Sequence, residues 1–271
     1  MAENKENGMN MKKNKDPKRQ AYLSVLLSAV ALVAVTTATV AWFTIADFTK
    51  VNSMSMQITS GTNLRFDLDP HGTFDEYIKT LNFRQIADRI KKELGYDCRN
   101  VPLEPVTTKD VQTFTLENGE IVKEQSGSYL VFTLHFMATE DMLVHLTSQG
   151  SQGNKDGTNI TSSKAQLADA MRISFTADDV TYVYDPGMRN DSTTQNGIKF
   201  FGLPEAGKMV LNDHNAMFWL KKNQDKPVVV KIWLEGTDPA CDDELRGADY
   251  SISLRFVGTD KDNQILDGIE H

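Results

Sequence analysis

Five carboxylates crowd into ten residues at 235–244, where the chain reads Glu-Gly-Thr-Asp-Pro-Ala-Cys-Asp-Asp-Glu. Hard oxygen donors at that density suit a Ca²⁺ ion, and Asp238, Asp242, Asp243 and Glu244 are the candidate ligands. The run lacks the alternating donor positions and central glycine of the twelve-residue Ca²⁺ loop. A solvated acidic loop, opened by a turn at Asp238-Pro239, therefore stands beside the cation reading. Among the histidines, His71, His135, His145, His214 and His271, only His135 and His145 sit inside apolar runs. There a structural or outward-facing role is expected rather than a zinc pair, so no metal site is assigned to them. Cys98 and Cys241 are the two cysteines. A disulfide between them would close a long loop and contribute about 4–5 kcal/mol in the chain-entropy view; two separate thiols is the alternative. Asp242, Asp243 and Glu244 beside Cys241 would hold its thiol protonated, against a nucleophilic role. No glycine-rich phosphate loop, zinc-protease helix or nucleophile elbow is present, so the expectation is a protein that is not an enzyme and needs no cofactor beyond that Ca²⁺.

The elements that would position these groups are mostly strands. Residues 51–59 alternate, with Met54, Met56 and Ile58 on one side, and 64–68 alternate again. One amphipathic helix is predicted from an N-cap at Thr73, with Phe74, Tyr77, Ile78, Leu81, Ile86, Ile90 and Leu94 on one face and Gly95 at its end. Asn118-Gly119 marks a hairpin. Residues 128–138 and 142–147 are the most apolar strands, followed by 171–177, 180–185, 227–236 and 250–258. Residues 148–164 and 186–197 read as polar loops, and a short helical turn is expected near 165–170. Many short strands with turns between them, and no strand–helix–strand alternation, predict a mainly β, antiparallel sandwich.

What precedes these elements decides where they work. Residues 21–46 contain no charged side chain, and as a helix they would span about 39 Å, against roughly 30 Å for a bilayer core. Lys12, Lys13, Lys15, Lys18 and Arg19 crowd the side before this segment. The positive-inside rule then gives residues 1–20 as a cytoplasmic tail, 21–46 as a transmembrane anchor or signal peptide, and 47–271 as an extracytoplasmic domain. Small residues after Val35 permit cleavage between Ala41 and Trp42; without it, Trp42 and Phe43 would sit at the outer interface. The first twenty residues carry a net +3 within a chain total of −8, leaving −11 on the rest. Such an acidic domain repels phosphate backbones, so no nucleic-acid partner is expected.

The run Thr39-Val40-Ala41-Trp42-Phe43-Thr44, then Met54 to Ile58, then Thr59-Ser60-Gly61-Thr62-Asn63-Leu64, resembles the TasA/camelysin-like exported surface proteins of Gram-positive bacteria. The stretch from Lys231 to Cys241 is similar to one in clostridial surface proteins with the same start. The resemblance is specific over residues 36–68 and weaker over 228–258. It implies a jelly-roll-like sandwich, a dedicated signal peptidase as a processing partner, and deployment on the cell surface or in the matrix. It also implies assembly into a homopolymer by donation of an N-terminal strand, here residues 51–59 with Met54, Met56 and Ile58. The helix and the two long loops depart from the short fibre-forming members, and no metal-ligand motif carries over a protease activity. Physically, an alternating strand at a freed N-terminus can add to an exposed sheet edge, or it can pair within its own sandwich.

Three functions follow as expectations. The first is a structural protein of the cell surface or extracellular matrix. The second is a membrane-anchored, adhesion-type binding module using the two polar loops, which contain no aromatic side chain. The third and weakest is a metal-dependent hydrolase.

Overall fold

Period-two alternation becomes paired strands wherever the sequence carries it. The computed structural model describes residues 50–58, 63–148, 157–241 and 248–266. In chain order the first elements are β1 (Lys50–Ile58), β2 (Leu64–Asp67), β3 (Thr80–Asn82), α1 (Phe83–Leu94), β4 (Pro105–Thr108), β5 (Phe114–Thr115) and β6 (Ile121–Val122). Then come β7 (Leu130–Ala138), β8 (Met142–Leu146), β9 (Asn159–Ser162), β10 (Met171–Ala177) and β11 (Val180–Tyr184). The last are β12 (Ser192–Gln195), β13 (Ile198–Phe201), β14 (Ala216–Leu220), β15 (Lys226–Glu235) and β16 (Asp249–Thr259).

Two sheets result. The smaller runs β14-β8-β16-β1-β3, with β9 alongside the first half of β16 and β8 alongside its second half. The larger runs β12-β13-β11-β10-β15. Beyond β15, β7 pairs with its first part and β4 with its end; β2 flanks β7, and β5 and β6 follow β4. Both sheets are mixed rather than antiparallel throughout: β1 runs parallel to β16, β11 to β13, and β4 to β15. Neither closes into a barrel.

The main core lies between the sheets. On β15 the side chains of Val228, Val230, Ile232 and Leu234 are buried in it, as are Leu134 and Phe136 of β7 and Ile173 and Phe175 of β10. Phe256 of the small sheet meets Phe66, Phe136 and Phe175 of the large one at 5.8, 5.3 and 5.8 Å, edge to face. Such pairs add about 0.5–1.5 kcal/mol each beyond their buried area. A bulge between Val51 and Ser53 sets Val51 on the same buried side as Met54, Met56 and Ile58. A second core covers the other face of the large sheet, where Trp233 and Val183 pack under Val106, Val111 and Phe114, carried by the β4–β6 segment.

Three sequence expectations need correction. The helix is shorter than predicted: Phe74–Glu76 is a single 3-10 turn, Ile78 bridges to Phe66, and Leu81 is buried in β3 opposite Met56. The α-helix begins only where Asn82 and Gln85 form a reciprocal capping box, and Gly95 ends it at φ 84°. Residues 148–164 include β9, and residues 186–197 include β12. Asn196 and Gly197 supply the two positive φ values of a tight turn into β13. The predicted hairpin at Asn118-Gly119 stands, joining β5 to β6. Among the described residues no helix is long and apolar enough to cross a membrane.

Candidate functional site

Alternation sends Asp67 and His135 to the side of the large sheet opposite Phe66 and Phe136. The two are register partners across β2 and β7, with Pro227 of β15 on the other flank of His135. The Phe66–Ile78 bridge draws Tyr77 alongside, buried, with its ring edge-on to His71 at 5.0 Å. From there a continuous network runs across four segments. His71 Nε2 lies 3.1 Å from Asp67 Oδ2, and the His71 backbone N–H donates to Tyr77 Oη at 3.0 Å. Tyr77 Oη donates to Asp225 Oδ1 at 2.7 Å, and His135 Nδ1 lies 2.8 Å from Asp225 Oδ2. Burial first, then the Asp225 carboxylate, push the Tyr77 phenol up to about 12, so it holds its proton and acts as a donor.

Carboxylate-backed imidazoles of this kind often stand behind a metal. Among the described residues, however, no three His, Cys, Asp or Glu side chains are placed to hold one. The adjoining cleft, about 190 Å³ and lined by Asp178, Lys221, Asp225 and Lys226, is smaller than the usual 300–1,000 Å³ of ligand pockets. Lys226 and Lys221 there pair with Asp178 and Asp141. The network's chemistry is cohesion: it fastens the β2–β3 and β14–β15 connections to β7.

His145 is a different histidine, on β8 in the other sheet and fully buried. Its Nδ1 lies 2.9 Å from Asn215 Oδ1 and its Nε2 3.0 Å from Thr259 Oγ1. An amide oxygen only accepts, so Nδ1 carries the proton and Nε2 accepts from the threonine. Burial drives this imidazole down to about 4, which keeps it neutral. His214 contacts Ser192 Oγ at 3.1 Å on the surface. His135 and His145 are thus in separate sheets with separate partners.

Of the four Ca²⁺ candidates, Asp238 alone lies among the described residues. Its Oδ2 accepts from Arg172 at 2.5 Å, while Arg172 Nε reaches Asp185 at 3.1 Å and Nη1 caps the Asp169 carbonyl. Asp238 Oδ1 accepts from the Ala240 N–H. This Ca²⁺ candidate is therefore engaged, half-buried, in an ion-pair triad with the buried Arg172 and Asp185; Asp242, Asp243 and Glu244 lie outside the described residues, as do Ala41 and Trp42. Burial pushes the Asp185 carboxyl up against the opposing pull of Arg172. Cys98 is buried, which raises its thiol to about 11, and Cys241 is half-buried; no disulfide joins them in the structure. The strand with Met54, Met56 and Ile58 lies in its own sheet, paired over eight positions with β16 and over three with β3.

The bonding roles of Arg172, Asp185, Lys231, Tyr77 and Asp225 escaped the sequence reading. For two of them a signal existed: Arg172 and Lys231 are charges inside otherwise apolar strands. Lys231 is buried, donates to the Val111 carbonyl at 2.8 Å and lies over the Phe114 ring. Val111 holds φ 58°, uncommon for a β-branched residue, in a loop clamped by Thr108 and Asp110 side chains.

A groove of about 460 Å³ opens beside β6, between that edge strand and a wall carrying Glu104, Ser126 and Ser128. Comparison with protein-family models, curated proteins and solved structures finds no match to this chain.

Proposed function

We propose that this chain is an exported, non-enzymatic structural protein of the cell surface or extracellular matrix, with residues 47–271 as an extracytoplasmic domain of jelly-roll-like design. The observation that carries the reading is the charge-free segment 21–46 with its basic flank, followed within four residues by β1. What the folded domain adds is consistent in kind. Its described histidines, and Glu235 and Asp238 of the acidic run, are engaged in bonds within the fold, and its buried polar groups lock segments together.

The resemblance to the TasA/camelysin-like proteins suggests how such a domain assembles. β1 is the first strand after the segment, and it contributes Val51, Met54, Met56 and Ile58 to the core while one of its sides is held by three residues of β3. Donated to a neighbouring copy, the same side chains would fill the same slot in trans. Cleavage between Ala41 and Trp42 by a signal peptidase would free it; retention of 21–46 would leave an anchored, self-completed monomer.

Electron microscopy of size-fractionated secreted protein tests this. Filaments whose subunits begin at or near Trp42 are the expected result, and a protein monomeric at every concentration removes the assembly reading. A membrane-anchored binding module is the second reading, favoured by the groove beside β6.

A further inference from the structure

The β5–β6 hairpin ends the large sheet, and its outer strand has no neighbour on one side among the described residues. Leu116 N–H donates to the Glu120 carbonyl at 2.9 Å, and Val122 is the register partner of Phe114. In an antiparallel ladder the residue between two such positions turns its own N–H and C=O away from the partner strand. Ile121 is that residue, so its backbone donor and acceptor point away from β5 at the open edge; the residue is 66% exposed and lines the groove. Leu116 and Val122 give the groove apolar lining, while Glu104 and Glu120 outnumber Lys123 among its charged residues. Over the whole covering segment, residues 104–126, five carboxylates face two ammonium groups. The volume, about 460 Å³, falls within the usual range of ligand pockets.

We propose that this groove binds an extended, cationic polypeptide segment of a partner protein, which pairs its backbone with Ile121, sets an apolar side chain against Leu116 and Val122, and places Lys or Arg beside Glu104 and Glu120. Backbone pairing supplies affinity, and the acidic rim selects the charge of the partner. The site stands independently of how the chain is exported or assembled.

The test uses the full chain in non-ionic detergent and a fluorescein-labelled Lys-Val-Lys-Val-Lys-Val peptide, followed by anisotropy. Saturable binding that weakens several-fold between about 50 and 200 mM salt is expected, because rim charges are screened. Glu120→Gln should weaken it about threefold and Ile121→Lys at least tenfold, with unfolding curves unchanged because both side chains are exposed. A peptide N-methylated at alternate amides should lose binding if strand pairing is the mode. The proposal is overturned by absent saturation, by equal binding of Glu-Val-Glu-Val-Glu-Val, or by unchanged affinity in both variants. Self-association of the chain that Ile121→Lys abolishes would instead assign the edge to a second copy.

Discussion

The two faces of the large sheet are built on different principles. The inner face, from Leu134 and Phe136 through Val230 and Ile232 to Phe175, is apolar throughout and meets an equally apolar small sheet. The outer face buries Arg172, Ser174 and Lys231 among Val183 and Trp233. Ser174 Oγ is buried with no hydrogen-bond partner, directly across from Lys231 in register. Area holds the first face, so any well-packed apolar set would serve. A few placed bonds hold the second, and each ties a surface segment to the sheet: Lys231 holds the β4–β5 loop, Arg172 the start of the acidic loop, Tyr77 and His135 the β14–β15 connection. A protein that must present surface segments in fixed positions gains from the second arrangement.

Substitutions on each face sharpen that contrast. Phe256→Ala, which removes the ring shared by Phe66, Phe136 and Phe175, should cost about 3–5 kcal/mol in urea unfolding, with little dependence on pH. Arg172→Met leaves Asp185 buried without its cation and should cost about 3 kcal/mol at pH 7. Burial already pushes the Asp185 carboxyl up, and protonating it relieves that penalty, so the deficit should shrink as pH falls; a deficit independent of pH would show that Arg172 acts by packing alone. Lys231→Met strands the Val111 carbonyl and should cost about 1–2 kcal/mol, while accelerating amide exchange in the β4–β5 loop ahead of β15.

His145 extends the comparison to the small sheet. Its folded value, near 4, lies below the 6.5 of an unfolded chain, so the unfolded state takes up the proton first. Stability is then complete above about pH 6.5 and falls as pH drops toward 4, by roughly 3 kcal/mol for a shift of this size. His145→Gln should flatten the unfolding midpoint across that window, whatever it does to stability at pH 7.

The elements readable from sequence are those that alternate over one buried side or run apolar through burial on both. β1, β2, β7, β10, β15 and β16 alternate or form long apolar runs, and they emerge where periodicity places them. Helix α1 is half legible: Phe74, Tyr77, Ile78 and Leu81 fit a helical face by spacing, but tertiary pairing of Ile78 with Phe66 overrides it. The Asn82 and Gln85 box marks the true start. β12 was obscured because its side chains are polar, although Asn196-Gly197 carries the turn signal. Parallel pairings such as β1 with β16 join residues some two hundred positions apart, and no local pattern encodes them. The same holds for the Tyr77–Asp225–His135 network, whose members come from three segments distant in sequence.

The proposed direction of export is the central claim, because under it segment 21–46 would set both the location of the domain and the fate of β1. Proteinase added to intact cells expressing the chain, followed by detection of an epitope at residue 271, tests it most directly. Loss of the epitope without lysis is the expected result; protection until the membrane is permeabilised would contradict the account.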